Sequence, residues 1–295
     1  MRLFKTQALL TLAVLCAGGT AQANWVTIDF PRATGTFAEG IDGNRIVGYY
    51  EDASGAYHGF LYDGTDWTTL DAPDAIDTRA FGVDGDNIVG WYKDASGWGH
   101  GFLFDGETWA TLDAPDAIGT SAHGIDGDNI VGTSSAGAFL YDGATWTTLA
   151  FPGALRTAIS DIDGNNMVGS YSYSMPPQPH GFWYNGTSWT PLDHPATTSW
   201  SEPAGIDRDN IVGSYGTGTG FSGFLYDGAG WTTLDFPGAS LTIARGIDGD
   251  KIVGYYGDAS WSFHGFVYTI PEPGTVLLLG LGGLAVVRRR GACGR

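Results

Sequence analysis

Short apolar runs broken by tight-turn dipeptides fill the chain from Trp25 to Tyr268, and no run keeps a helical period. One phrase recurs. It begins as Gly40-Ile41-Asp42-Gly43, reaches Ile46-Val47-Gly48, and returns from Gly82, Gly124, Asp161, Gly205 and Gly246. A second phrase, Gly59-Phe60-Leu61-Tyr62-Asp63-Gly64, has equivalents from Gly101, Ala138, Gly181, Gly223 and Gly265. A third, Trp67-Thr68-Thr69-Leu70, has equivalents from Trp109, Trp146, Trp189 and Trp231. Asp-Gly between apolar runs marks hairpins, because Gly accepts positive φ at no steric cost. Each repeat therefore reads as four short strands, A to D. Residues 79–83, 88–92, 101–104 and 109–112 are one set. Apolar residues run together in B and C, which suits strands covered on both faces.

Four-stranded units of about 40 residues predict an all-β, six-bladed β-propeller. Six A–B–C sets are followed by only five D strands. The sixth is expected at the front, in Trp25-Val26-Thr27-Ile28-Asp29-Phe30, paired with strand C of the last repeat. That pairing would close the ring and remove an open sheet edge.

The two ends read differently. Arg2 and Lys5 precede an apolar run that ends at Ala21-Gln22-Ala23, the pattern of a signal peptide over residues 1–23. Residues 24–269 form the propeller and 270–295 a C-terminal signal. In that signal, Pro271-Glu272-Pro273 precedes an apolar run too short to span a bilayer, then Arg288-Arg289-Arg290. This order resembles the PEP-CTERM sorting signal. The resemblance implies an exosortase-type transpeptidase as partner and transient inner-membrane contact. It also implies delivery to the cell surface or matrix of a Gram-negative bacterium that makes extracellular polysaccharide. Cys16 and Cys293 lie in the end segments, so the expected mature chain has no disulfide. Its charge is strongly acidic, against −18 for the whole chain. Such a surface excludes a generic nucleic-acid binder.

The triplets His58-Gly59-Phe60, His100-Gly101-Phe102, His180-Gly181-Phe182 and His264-Gly265-Phe266 resemble the HAF family of extracellular repeats, although Gly137 and Ser222 replace His in repeats three and five. The resemblance implies an exported repeat array and names no activity.

Candidate chemistry is sparse. Repeated His residues around a ring stand too far apart for one metal, so a structural bond to a loop backbone group is expected. The Asp-Gly-Asp runs at Asp84 and Asp126, and the related run at Asp207, sit where hairpin turns are required; no cofactor is expected beyond weak surface calcium. No nucleophile-elbow, zinc-protease or phosphate-loop motif occurs. The long loops, B–C and D–A, should share one face. Tyr57, Trp98, Trp200 and Trp261 lie in them and are the candidate ligand-binding residues, a platform for the apolar faces of sugars. The expected role is binding or structural, without catalysis. A polysaccharide lyase or hydrolase is the alternative, and it predicts a central pocket lined by non-repeating polar residues. A passive adhesive or surface-layer component is the third reading.

Overall fold

The computed structural model describes residues 24–271, apart from 198 and 219, with no helix among them. The expected signal peptide lies outside the described residues, as do Glu272, Pro273 and Arg288–Arg290 of the sorting signal.

The first strand is β1 (Asn24–Ile28). Blade 1 is β2 (Gly35–Asp42), β3 (Arg45–Glu51), β4 (Tyr57–Tyr62) and β5 (Trp67–Leu70). Blade 2 is β6 (Ala75–Asp84), β7 (Asn87–Asp94), β8 (Gly99–Phe104) and β9 (Trp109–Leu112). Blade 3 is β10 (Thr120–Asp126), β11 (Asn129–Ser134), β12 (Gly137–Tyr141) and β13 (Trp146–Leu149). Blade 4 is β14 (Arg156–Asp163), β15 (Asn166–Ser172), β16 (His180–Tyr184) and β17 (Trp189–Pro191). Blade 5 is β18 (Ser201–Asp207), β19 (Asn210–Gly216), β20 (Phe221–Tyr226) and β21 (Trp231–Leu234). Blade 6 supplies β22 (Leu241–Asp248), β23 (Lys251–Gly257) and β24 (Phe263–Thr269).

Every sheet is four-stranded and antiparallel, and the sixth runs β22-β23-β24-β1. Trp25 pairs with Tyr268 and Ile28 with Gly265. The innermost strands β2, β6, β10, β14, β18 and β22 pack successively around an axis, and β22 returns to β2. The fold is therefore the expected six-bladed propeller, closed by the N-terminal strand.

The aromatic pattern explains why that strand fits. In five blades the Trp opening strand D sits on the fully buried strand-C Phe, as Trp67 does on Phe60 at 5.0 Å and Trp189 on Phe182 at 4.8 Å. Trp25 does the same to Phe266 at 5.0 Å.

The turn face carries a second closure. Asp42 accepts a hydrogen bond from the backbone N–H of Gly85 in the next blade at 2.8 Å. Asp84, Asp126, Asp163 and Asp207 do likewise to Gly127, Gly164, Arg208 and Gly249. Asp248 completes the circle on Gly43 at 2.7 Å. These carboxylates work as blade-to-blade latches.

The recurring His departs from expectation in its partner. His58 Nδ1 lies 2.9 Å from Asp71, just after strand D, and Nε2 lies 3.6 Å from Asp52 in the B–C loop. His100 pairs with Asp113, His180 with Asp193, and His264 with Asp29 across the closing strand. The ring also stacks on the strand-B tyrosine, as on Tyr50 at 5.2 Å. A carboxylate is the better partner here because strand C brings the ring beside the end of strand D. Repeat three lacks both halves of the pair, with Gly137 and Ala150 in their places.

Candidate functional site

Two concavities stand out, one on the axis and one on the loop face. The axial pocket arises from a repeated backbone irregularity. Each innermost strand carries a β-bulge, between Ala38 and Gly40 in β2 and at the matching place in the other five. A bulge inserts one residue and re-aims its side chain. The six bulged residues are Glu39, Phe81, His123, Ser160, Ala204 and Arg245, and all of them line a cavity of about 310 Å³. Around them the repeat stays nearly constant. Gly40, Gly82, Gly124, Gly205 and Gly246 sit against the neighbouring blade, where a Cβ would lie under 3 Å from that blade's atoms. Nearer the turn face, the buried Ile41, Val83, Ile125 and Ile247 line the cavity and supply an apolar floor.

The pocket is polar and close to charge-balanced. Arg245 Nε lies 3.3 Å from Glu39 Oε2, and its Nη2 donates to Tyr255 Oη at 3.4 Å. Burial disfavours the Arg245 charge, but Tyr255, Glu39 and Glu202 more than offset this and hold it protonated. Burial also pushes the Glu39 carboxyl upward, against the pull of Arg245 and Arg79. Arg79 forks onto Asp77 at 3.1 and 3.0 Å and lies over Tyr57 at 4.3 Å and Tyr49 at 5.0 Å. His123 hydrogen-bonds to Ile159 O through Nδ1 at 3.1 Å and to Ser121 Oγ through Nε2 at 2.9 Å. Burial lowers its pKa to about 4, so the ring is neutral at pH 7.

Asp161 replaces the repeat glycine in blade 4 and accepts the Ile206 N–H of blade 5 at 2.9 Å. Burial raises its pKa from 3.8 to about 7, against the hydrogen bonds from Ile206 and Ile162. Below about pH 4 the carboxyl is protonated in both folded and unfolded chains and carries no penalty. As pH climbs toward 7, the unfolded chain ionises freely while the folded one resists, so stability is lost across that window. Asp161→Asn keeps an acceptor for Ile206 and removes the charge. We expect it to match wild type near pH 3 and to exceed it by up to about 4 kcal/mol at pH 8, read from thermal unfolding at both pH values.

The loop-face concavity lies over blade 3. Its B–C loop shrinks to Ser135-Ala136, leaving a trough of about 920 Å³ beside the longer 173–179 loop of blade 4. Hydroxyls of Ser121, Thr133, Ser134, Thr148, Thr157 and Ser170 line it, with Arg156 and no acidic residue. Leu155, Tyr173 and Met175 stand exposed in its vicinity. Gly99 and Gly119 are shared with a shallow pocket that holds Trp98.

The four candidate aromatics take separate places. Trp98 is 56% exposed beside the trough. Trp261 is 65% exposed in blade 6, at φ 65°, where the sister loops place Gly55 and Gly97. A tryptophan in left-handed backbone is strained by about 1–3 kcal/mol. Tyr57 turns inward under Arg79 and meets Tyr49 at 5.8 Å. Trp200 packs on Phe221 at 5.3 Å. Among the described residues no ring contact joins any two of the four. The bulged residues escaped sequence reasoning, because a bulge has no dipeptide signature. The usable signal was variation: one repeat position that differs six times, just before a near-invariant glycine.

Residues 269–290 match the PEP-CTERM protein-sorting motif. The chain accordingly carries the signal of an exported, surface-directed bacterial protein. A search of curated proteins found no match. Among solved structures, the chain is similar to a variant of the Aleuria aurantia lectin in complex with Fucα1-6GlcNAc, at 15% identity and TM-score 0.51, covering 83% of this chain and 98% of that one. It is also similar to the β-propeller domain of the Trilobed protease from Pyrococcus furiosus, at 9% identity and TM-score 0.50, covering 79% and 95%. TolB from Acinetobacter baumannii matches at 15% identity and TM-score 0.50, over 78% and 65%. At these identities the likeness concerns the fold.

Proposed function

We propose that this is a non-catalytic, surface-sorted protein that holds extracellular polysaccharide through its loop face. In this reading the tail is processed by an exosortase-type transpeptidase, contacts the inner membrane transiently, and delivers a HAF-type repeat domain to the surface or matrix of a Gram-negative cell. The observation that carries the reading is the trough over blade 3. In an acidic protein it holds no carboxylate: hydroxyls, apolar side chains such as Trp91, Leu149 and Met175, and one arginine line it, and exposed Trp98 stands at its side. An acid-free trough admits uncharged and anionic sugar chains alike, and an exposed indole stacks on a sugar ring at small entropic cost. The lectin named above is crystallised with a fucosylated sugar, which is compatible with this role on a shared fold. Trp98→Ala should weaken binding on a polysaccharide array by about tenfold, the loss of roughly 1.4 kcal/mol. Trp261→Ala should have less effect, because that ring lies in another blade. Equal signals from wild type and Trp98→Ala would remove the proposal.

The axial pocket favours a second reading, a polysaccharide lyase or hydrolase, because its lining is polar and non-repeating and includes the Glu39, Asp161 and Glu202 carboxyls. New reducing ends or unsaturated uronates released from polysaccharide, and lost in Glu39→Gln, would support it over the binding role.

A further inference from the structure

The six bulged positions hold six different residues, while the glycine that follows is retained in five of the six repeats. Ring packing alone asks for one small residue repeated six times. What has diverged is the bulged side chain of each blade, and four of the six, Glu39, His123, Ser160 and Arg245, carry hydrogen-bonding groups. Such divergence marks a place where the ring's symmetry is no longer useful, as when a single asymmetric molecule lies on the axis.

The chemistry of that molecule follows from the lining. Arg245 sits against Glu39, so the pair adds no net charge, yet neither partner is saturated. A guanidinium has five N–H donors and a carboxylate about four acceptor sites. Arg245 Nε is buried and makes no hydrogen bond in the structure, lying 3.3 Å from Glu39 Oε2. A vicinal diol suits such a pair: each hydroxyl accepts from the guanidinium and donates to the carboxylate. A free anion would meet Glu39 and Glu202, and a free cation would meet Arg79 and Arg245. Below these groups, the buried aliphatic floor suits the C–H face of a ring. The volume lies at the lower end for ligand pockets, which limits the occupant to a small one.

We propose that the axial pocket binds a single uncharged sugar residue through vicinal hydroxyls held by the Arg245–Glu39 pair. This site is distinct from the loop-face trough and does not depend on it. The test is isothermal titration of the purified protein, backed by saturation-transfer NMR, with neutral hexoses and deoxyhexoses, the matching uronic acids, and zwitterionic amino acids. A neutral sugar should bind, and its uronic acid should bind at least about tenfold more weakly, because a buried unmatched charge is penalised. Glu39→Gln should weaken binding by at least about tenfold in protein that circular dichroism shows to be folded at the assay temperature, since loss of the carboxylate also destabilises the buried Arg245 charge. Ala204→Trp, which fills the pocket from blade 5, should abolish it. If Ala204→Trp fails to fold, Glu39→Gln alone decides. Trp98→Ala should leave this binding intact, which separates failure here from failure of the loop-face role. Absence of binding by any neutral sugar overturns the proposal. So does preference for a uronic or amino acid, or undiminished binding in the variants.

Discussion

Removal of residues 24–30 opens the ring and leaves a protein that aggregates or fails to fold. Three large side chains lose their places. Trp25 contacts Phe266, Phe236 and Tyr268, with ring centres 4.6–5.3 Å apart. Ile28 is buried, and Phe30 stacks on Tyr50 of blade 1 at 3.7 Å. At about 1.5–3 kcal/mol for a fully buried side chain, and less for the half-buried Trp25 and Phe30, their loss removes a large part of the 5–15 kcal/mol that holds a typical domain together. The β24 backbone then becomes a free sheet edge, ready to pair with another molecule. Size-exclusion chromatography and circular dichroism should show soluble aggregate or unfolded chain. Trp25→Ala alone should remain a folded monomer, destabilised by about 3–5 kcal/mol. A truncated protein that stays monomeric with an unchanged melting temperature would show that β1 is not the closing strand.

The second large effect falls on a glycine that looks ordinary. Gly48 pairs with Ala38 beside the β2 bulge. A Cβ at Gly48 would overlap the Phe37 carbonyl oxygen and come within 2.9 Å of the Phe60 ring. Phe60 is fully buried and the carbonyl belongs to the bulged strand, so neither can retreat cheaply. Gly90, Gly132, Gly169, Gly213 and Gly254 face the same overlap in their own blades. Gly48→Ala should cost upward of about 3 kcal/mol, as overpacking of a tight core does. By contrast, Gly43 at the turn has φ 61° with nothing within 4 Å of a new Cβ. Gly43→Ala should cost only about 1 kcal/mol. Chemical denaturation of the two variants checks the ordering, and a larger loss at Gly43 would reverse it.

Much of the fold was legible, for a physical reason. Asp-Gly turns, the Trp that opens strand D and the Phe of strand C recur at blade length, and the orphan Trp25–Phe30 segment has only one vacancy to fill. Local turn chemistry and burial agree with the global ring, so period alone was informative. The axial site was not legible, because Glu39, His123 and Arg245 occupy a position where the repeats disagree and so resemble noise. Tyr57 was placed on the correct face, yet its ring is drawn toward the axis by Arg79, a contact between blades that no single repeat encodes. The His partner had a signal: His58 and Asp71 recur together in four repeats and repeat three drops both, although repeat five keeps Asp235 with Ser222 in the His place. Reading each repeat position for covariation with the others, and not only for sameness, would have found the carboxylates.

Strand β24 runs from the loop face toward the turn face, and Asn24 pairs with Thr269 at its far end. Entry to and exit from the ring thus lie side by side, at the rim where the Asp42-type latches stand. Ile270 donates its N–H to the Asp250 carbonyl there at 2.7 Å, fixing the point of departure. The turn face therefore carries both chain ends of the ring together with the six latch carboxylates, while the trough and the exposed Trp261 open on the opposite face.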